Sequence, residues 1–373
     1  MPDTSVATIA TAAATLDLQQ LAGLLDKVLK EQMDKLGKIN IIVAGRTGTG
    51  KSTLVNAIFG ENFAQTAMGR PVTQHASWYG RDNHPLHILD TKGLETSEYA
   101  ETWAGLQREI AKGRATTDPR EHIHIGWVCV QEPALRFERA EQDLVEALKA
   151  AGIPTIIVLT KHGMFPEFLA EMQKLAPMAD AIIPVRALPM PGLPGTVGLS
   201  ELVQASVRLL PEVARGAFVA AQAVDFALKT ADARKIIRGA AAAAGTAAAV
   251  PLPFTDAVTL VPIQIGMIVG ISLRFGLEGT RQKLLPLASS IVGCLAATVA
   301  GRLIVGQLLK FLPGGSLVNA GVAAAVTTGL GEAYLAFLLA FHQRMGRMPS
   351  VDEIVGEFSA FWKKWGKKGD VAA

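Results

Sequence analysis

Residues Gly45, Arg46, Thr47, Gly48, Thr49, Gly50, Lys51 and Ser52 read GRTGTGKS, directly behind the apolar run Ile39-Asn40-Ile41-Ile42-Val43-Ala44. A glycine-rich turn between a buried strand and a helix can wrap a triphosphate with main-chain N–H groups, because side chains at the glycine positions would block the approach. Lys51 brings a point charge to the β- and γ-phosphates, and Ser52 offers a hydroxyl to Mg²⁺. The helix expected over 51–59 points its positive dipole end at the same place. The predicted nucleotide-binding set here is Gly45 through Ser52 with Thr53. Lys51 acts in catalysis and Ser52 on the metal.

A second element is Leu86-His87-Ile88-Leu89-Asp90-Thr91-Lys92-Gly93. Asp90 ends an apolar strand, where a carboxylate can hold Mg²⁺ through water. Gly93 can turn its N–H toward a γ-phosphate. On the ordered motifs GRTGTGKS and D-T-K-G, the chain resembles the Era-like and immunity-related branches of the GTPase superfamily, over roughly residues 39–210. The resemblance implies GTP and GDP as ligands, Mg²⁺ as cofactor, and hydrolysis by in-line attack of water on the γ-phosphate. It makes Thr73, in Gly69-Arg70-Pro71-Val72-Thr73-Gln74, the switch threonine that closes on Mg²⁺, with Thr66 a weaker competitor. It also makes Thr160, Lys161 and Ala187 the base contacts.

The chain departs from the family at two points. The base-reading motif N/T-K-x-D appears as Thr160-Lys161-His162-Gly163. A glycine where the family has an aspartate cannot accept hydrogen bonds from guanine N1 and N2, so ATP stays open as an alternative ligand. The residue after Gly93 is Leu94, which cannot orient an attacking water, and Gly48 stands where potassium-using relatives carry asparagine. Slow turnover follows, accelerated by self-association or a protein partner. Arg46, Arg70 and Lys92 are charged candidates to assist, against the plainer reading of solvated loop charges. His122 and His124 alternate, as on one strand face, but a third metal ligand is missing nearby, and ordinary sheet-edge histidines are the expectation.

The elements that must position these groups follow from periodicity. Strand patterns at 39–44, 75–79, 86–89, 123–130, 154–159 and 181–185 alternate with helix patterns at 51–59, 97–112, 138–150, 166–175 and 199–209. This predicts an α/β fold, the doubly wound, mostly parallel sheet of a P-loop NTPase. A helix with apolar residues from Leu18 to Leu36 precedes it, behind an Ala/Thr-rich start read as disordered. The expected domains are 1–37, 38–212, 213–345 and 346–373.

The chain has 373 residues, half of them hydrophobic, and a net charge of +3. That balance gives no case for nucleic acid as main partner. Cys129 and Cys294 form no CxxC pair, so neither a zinc site nor a disulfide framework is expected, and a reducing compartment fits. The first residues lack a basic region before a long apolar run, so a secretory signal is not expected.

The mean hydropathy of +0.30 is high, and the excess lies after Gly239. Strand signals stop there, and Ala, Gly, Leu, Val and Ile dominate a predicted all-α domain with breaks at Pro251, Pro253, Pro286 and Pro313. A compact helical domain with close packing competes with membrane-inserting hairpins. Pro251-Leu252-Pro253-Phe254-Thr255-Asp256 and Leu260-Val261-Pro262-Ile263-Gln264 resemble the YcjF-type domain of unknown function that follows bacterial GTPase domains. A last helix, with a Ser350/Glu353 capping box, aligns Val351, Ile354, Val355, Phe358, Phe361, Trp362 and Trp365 beside Lys363, Lys364, Lys367 and Lys368. Docking on the protein competes there with an interfacial membrane helix. The resulting expectation is a cytoplasmic nucleotide-driven switch, with association with the inner face of the cytoplasmic membrane left open. The rival is a nucleotide-binding scaffold that hardly hydrolyses.

Overall fold

The computed structural model describes residues 18–60, 68–71, 76–80, 85–91, 99–249, 255–277, 283, 287, 290 and 315–369. The chain divides into two compact units: Leu36–Phe226, and Met1–Lys35 together with Ala227–Ala373.

The first unit is built on a seven-stranded sheet in the order β2-β3-β4-β1-β5-β6-β7. Its strands are β1 (Ile39–Ala44), β2 (Met68–Pro71), β3 (Ala76–Gly80), β4 (Leu86–Thr91), β5 (Ile125–Gln131), β6 (Thr155–Thr160) and β7 (Ala181–Val185). Strands β1, β4, β5, β6 and β7 run parallel, while β3 is antiparallel to β4 and β2 to β3. The expected α/β class is therefore the observed one. β1 and β6 are buried at every residue, as strands covered on both faces must be.

In the sheet β1 is flanked by β4 on one side and β5 on the other. This is the switch point at which open α/β sheets bind ligands beyond their carboxyl ends. Helices α2 (Lys51–Phe59), α3 (Tyr99–Ala115), α4 (Arg139–Ala150), α5 (Phe168–Leu175), α6 (Leu199–Leu209) and α7 (Glu212–Ala221) complete the unit.

An aromatic trio fixes the helix behind the glycine-rich turn. Phe59 of α2 stacks on Trp127 of β5 at 5.7 Å, and Phe218 of α7 meets both rings edge-on at about 6 Å. The buried Trp127 indole N–H donates to Ser206 Oγ at 3.1 Å. Because α7 packs on β1 and β4 and supplies Phe218, the unit runs to Phe226, past the expected boundary at 212.

Two local expectations are corrected. Residues 69–71, the start of the stretch 69–74 read as switch loop, belong to the edge strand β2. Met-Gly-Arg-Pro carries no apolar alternation, and an edge strand tolerates proline because only one side is paired. His122 and His124 precede β5 and sit in loop contacts. Asn40 N–H donates to His124 Nδ1 at 3.0 Å, which leaves Nε2 protonated to donate to Pro119 O at 2.9 Å. His122 Nε2 bonds Thr116 O. Among the described residues there is no His/Cys/Asp/Glu cluster fit for a metal.

The second unit is helical: α1 (Leu18–Leu36, its last residue apart), α8 (Phe226–Ala249), α9 (Thr255–Arg274), α10 (Gly315–Met345) and α11 (Val351–Gly369). Small residues bring these helices close. A Cβ on Gly331 of α10 would lie 2.7 Å from Ile237 and 2.9 Å from Met267. Buried hydroxyl and amide pairs cross between α9 and α10: Gln264 with Thr327 at 3.2 Å, and Ser272 with Tyr334 at 2.7 Å.

α10 is long and apolar enough over Ala320–Met345 to cross a membrane, yet half of its most apolar window is buried inside the molecule. Helix α11 carries the expected capping box, with Ser350 N–H donating to Glu353 and Glu353 N–H to Ser350 Oγ. It docks Phe358 between Tyr334 and Phe337, at 5.5 and 5.6 Å. Trp365, Lys363 and Lys364 remain exposed.

Candidate functional site

The turn from β1 to α2 is shaped by its neighbours. Gly45 has a φ of 143°, and a Cβ there would lie 2.4 Å from the Cys129 carbonyl oxygen, so β5 demands a glycine at the start of the turn. Gly50 caps α2 with φ 89°, and no side chain caps the helix. The first-turn N–H groups of α2 therefore face outward at the positive end of the helix dipole. Lys51, only 9% exposed, donates from Nζ to Gly45 O at 2.8 Å and Arg46 O at 2.9 Å. An ammonium has three N–H groups, so one remains for a further acceptor. Thr49 is buried, and both its hydroxyl and its N–H return to Arg46 O.

Asp90 lies in β4 opposite Val43 of β1, beside this turn. The charges of Lys51 and Asp90 are both felt by the Cys129 thiol, whose pKa is pushed up to about 12, mainly by burial. Cys129 is thus a neutral packing residue and not a nucleophile. Ser52 is exposed at the first turn of α2, and Thr53 is half-buried behind it. Glycines at positive φ, an uncapped helix start and an ammonium with a donor left suit a polyphosphate. The Ser52 hydroxyl and Asp90 carboxylate are the hard oxygen donors that Mg²⁺ takes.

The carboxyl end of β6 reaches the same turn. Thr160, buried at the end of β6, donates from Oγ1 to Thr49 O at 2.7 Å and approaches Val130 O at 3.3 Å. Lys161 adopts φ 57° and donates to Gly48 O at 2.8 Å and Gln131 Oε1 at 2.9 Å. Ala187 is half-buried at the start of the loop after β7.

Sequence reasoning missed two residues here. Glu132, fully buried just past β5, accepts the N–H groups of Gly163, Met164 and Phe165 at 2.7–2.8 Å, and its other oxygen meets His162 Nδ1. Burial alone would raise its pKa, but the bonds from Phe165, Gly163 and His162 outweigh burial and hold the carboxyl below its usual range. Arg186, 8% exposed, follows β7 and donates to the carbonyls of His162, Pro194 and Gly195 at 3.1–3.2 Å. A charged residue closing an apolar strand was the only available signal for either.

Arg46, read as a candidate assistant in hydrolysis, is ion-paired to Glu138, which belongs to the capping box of α4. Arg70 lies in β2. Thr66, Thr73, Lys92, Gly93 and Leu94 lie outside the described residues.

A central strand, glycine turn and helix at the switch point of a mostly parallel sheet define a nucleotide-binding domain of the P-loop class. The family described as 50S ribosome-binding GTPase matches residues 40–161, and a domain of unknown function, DUF697, matches residues 219–357. A relative named "Probable GTP-binding protein EngB", from Bacillus velezensis, is 30% identical over 146 residues, covering 38% of this chain and 72% of the relative. The chain belongs to this GTPase family, with a DUF697 domain behind its G domain, as the motif resemblance implied. "GTPase Der" from Bartonella bacilliformis is 28% identical over 180 residues, which are 46% of this chain and 36% of that relative. The chain thus spans little more than a third of that relative's length. A solved structure titled "Crystal structure of a probable GTP-binding protein engB" aligns with 18% identity and a TM-score of 0.33, over 46% of this chain and 97% of that one.

Proposed function

We propose that the chain binds GTP with Mg²⁺ at Gly45–Thr53 and hydrolyses it to GDP, as a switch read out by the helical unit. The observation that carries this is the β1–α2 turn: an uncapped helix start, glycines at positive φ, and the Lys51 ammonium with a donor to spare. When bound, Mg²⁺ would neutralise charge that develops on the γ-phosphoryl group. Ser52 and Asp90 would hold it, with Thr73 joining by family resemblance. Lys51 would stabilise charge on the β- and γ-phosphates. The N–H groups of Gly48, Gly50 and the first turn of α2 would orient them. Gly93 would present its N–H to the γ-phosphate, and Thr160, Lys161 and Ala187 would brace the base end.

Leu94 follows Gly93 in place of a water-orienting glutamine, so intrinsic turnover is slow. A rate on the order of 10⁻³ s⁻¹ fits a GTPase without a partner's arginine or glutamine. Self-association or a protein partner would then raise it. Single-turnover hydrolysis of GTP, with and without Mg²⁺ and over a range of protein concentrations, tests the reading. Loss of turnover in Lys51→Ala supports it. Wild-type protein that binds GTP without releasing phosphate would instead favour a nucleotide-binding scaffold.

Association of the helical unit with an anionic membrane surface is the weaker part of the proposal. It is supported by exposed Trp365 beside exposed Lys363 and Lys364. Co-sedimentation with phosphatidylglycerol vesicles at low and high salt checks it.

A further inference from the structure

We propose that Glu132 is a positioning residue of the nucleotide site: it shapes the loop after β6 before a nucleotide arrives, and so keeps Lys161 at the edge of the phosphate turn. This rests on the nucleotide-binding reading above.

The loop gives the first observation. The N–H groups of Gly163, Met164 and Phe165 all point at Glu132 Oε1, at 2.8, 2.7 and 2.7 Å, and His162 Nδ1 meets Oε2. Successive N–H groups converging on one oxygen form an anion-binding nest. Here the anion is a side chain of the protein itself. The turn that makes the nest needs Gly163, whose φ of 126° is one that L side chains rarely adopt. The glycine at 163 and the carboxylate at 132 are thus two parts of one device, and the departure from the family motif has a backbone reason.

Lys161 gives the second observation. It adopts φ 57°, which is uncommon for a residue with a Cβ and persists only where the surroundings fix it. Its ammonium donates to Gly48 O in the phosphate turn at 2.8 Å and to Gln131 Oε1 at 2.9 Å. Gln131 stands opposite Thr160 in the β5–β6 ladder, and Glu132 is the next residue. One residue therefore holds the Lys161 ammonium, and its neighbour holds the backbone that follows Lys161. Arg186 Nη1 fixes the loop from another side, on His162 O at 3.1 Å.

Burial decides between touching a ligand and acting through Lys161. Glu132 is 0% exposed, and its Oε1 already has more donors than lone pairs. A base could reach that carboxylate only by displacing the loop. Lys161 is half-buried and borders the phosphate turn directly. Glu132 therefore acts on the ligand through Lys161.

The test is a double-mutant cycle, read by titration of the full chain in Mg²⁺ with GDP and with the non-hydrolysable β,γ-imido form of GTP. Glu132→Gln, which keeps the shape but loses the charge, should weaken both nucleotides alike, by about tenfold. Lys161→Met should weaken them by a similar factor. The double variant should bind within about twofold of Lys161→Met alone, because Glu132 then has no ammonium to place. A merely structural role would make the two losses multiply, to about a hundredfold. Circular dichroism checks folding. Should Glu132→Gln fail to fold, hydrogen exchange of the wild type carries the test: the amides of Gly163, Met164 and Phe165 should be protected without nucleotide and change by less than about twofold when GDP is added. Four results overturn the assignment of Glu132 and leave nucleotide binding intact: losses that multiply, folded Glu132→Gln binding within about twofold of the wild type, a loss confined to the GTP form, or amides protected only once GDP is bound. A wild type that binds neither nucleotide overturns the nucleotide reading as well.

Discussion

At the phosphate end of the proposed site the polar groups belong mostly to the main chain. The N–H groups at the start of α2 and the carbonyls of Gly45 and Arg46 around Lys51 are placed by glycine geometry and by β5. At the proposed base end, two strands away, the loops are held by side chains: Thr160, Lys161, Glu132 and Arg186. The first end needs its glycines and its lysine and tolerates little else. The second carries Gly163 where the family has an aspartate, and Arg186, from just past the next strand, lies where a Cβ of that residue would point. In the proposed site, main-chain groups would hold the phosphates, which every nucleotide shares, and side chains would be where one relative can come to differ from another.

The sharpest break in that comparison is Glu132→Ala. It strands four buried donors, three of them consecutive N–H groups, and should cost about 3–5 kcal/mol of stability, read by urea denaturation. If the base end were a solvated loop, the loss would be under about 1 kcal/mol. The Glu132 pKa is lowered in the fold, so its contribution is present above the unfolded carboxylate value and disappears as pH falls through the lower folded value. The stability of the wild type should therefore fall in acid by more than that of Glu132→Gln.

Next in size is Lys51→Ala. Removing a charge-assisted contact worth about 1.5–3 kcal/mol should weaken every triphosphate by roughly 10- to 150-fold. The ratio between bases should stay as in the wild type, since the two ends recognise different parts of the ligand. Titration with two nucleotides measures both quantities, and a changed ratio would mean the ends are coupled.

His87 in β4 gives a pH test on the strand that carries Asp90. Burial, with help from the Lys38 charge, lowers its pKa from 6.5 to about 4, and its buried Nδ1 has no partner among the described residues. The unfolded chain takes up this proton first, so stability should be full above pH 6.5 and decline by up to about 2 kcal/mol toward pH 4. His87→Gln should flatten that part of the profile in thermal melts.

The smallest effect is expected for Thr160→Val. Its hydroxyl ties β6 to Thr49 and contacts Val130, and its loss should cost about 1 kcal/mol in stability. It should also weaken nucleotide binding slightly. Of the four, this variant alone touches both ends, so a loss of affinity without any loss of stability would show that Thr160 acts on the ligand and not through the turn.

The sequence alone determined six of the seven strands, the phosphate turn and the order of the motifs, because each is a local pattern. Buried parallel strands read as continuous apolar runs, and a glycine turn followed by Lys-Ser is contiguous in the chain. The Ser350/Glu353 capping box was legible for the same reason. The edge strand Met68–Pro71, the extension of the first unit through α7, and the roles of Glu132, His124 and Arg186 came only with the tertiary structure. These depend on partners far apart in sequence. Arg186 approaches Gly163 across 23 positions, and Glu132 gathers N–H groups from a loop some 30 residues on. A one-dimensional pattern can register that an aspartate is missing, but which group fills its space is decided by the packing of β6 against β7.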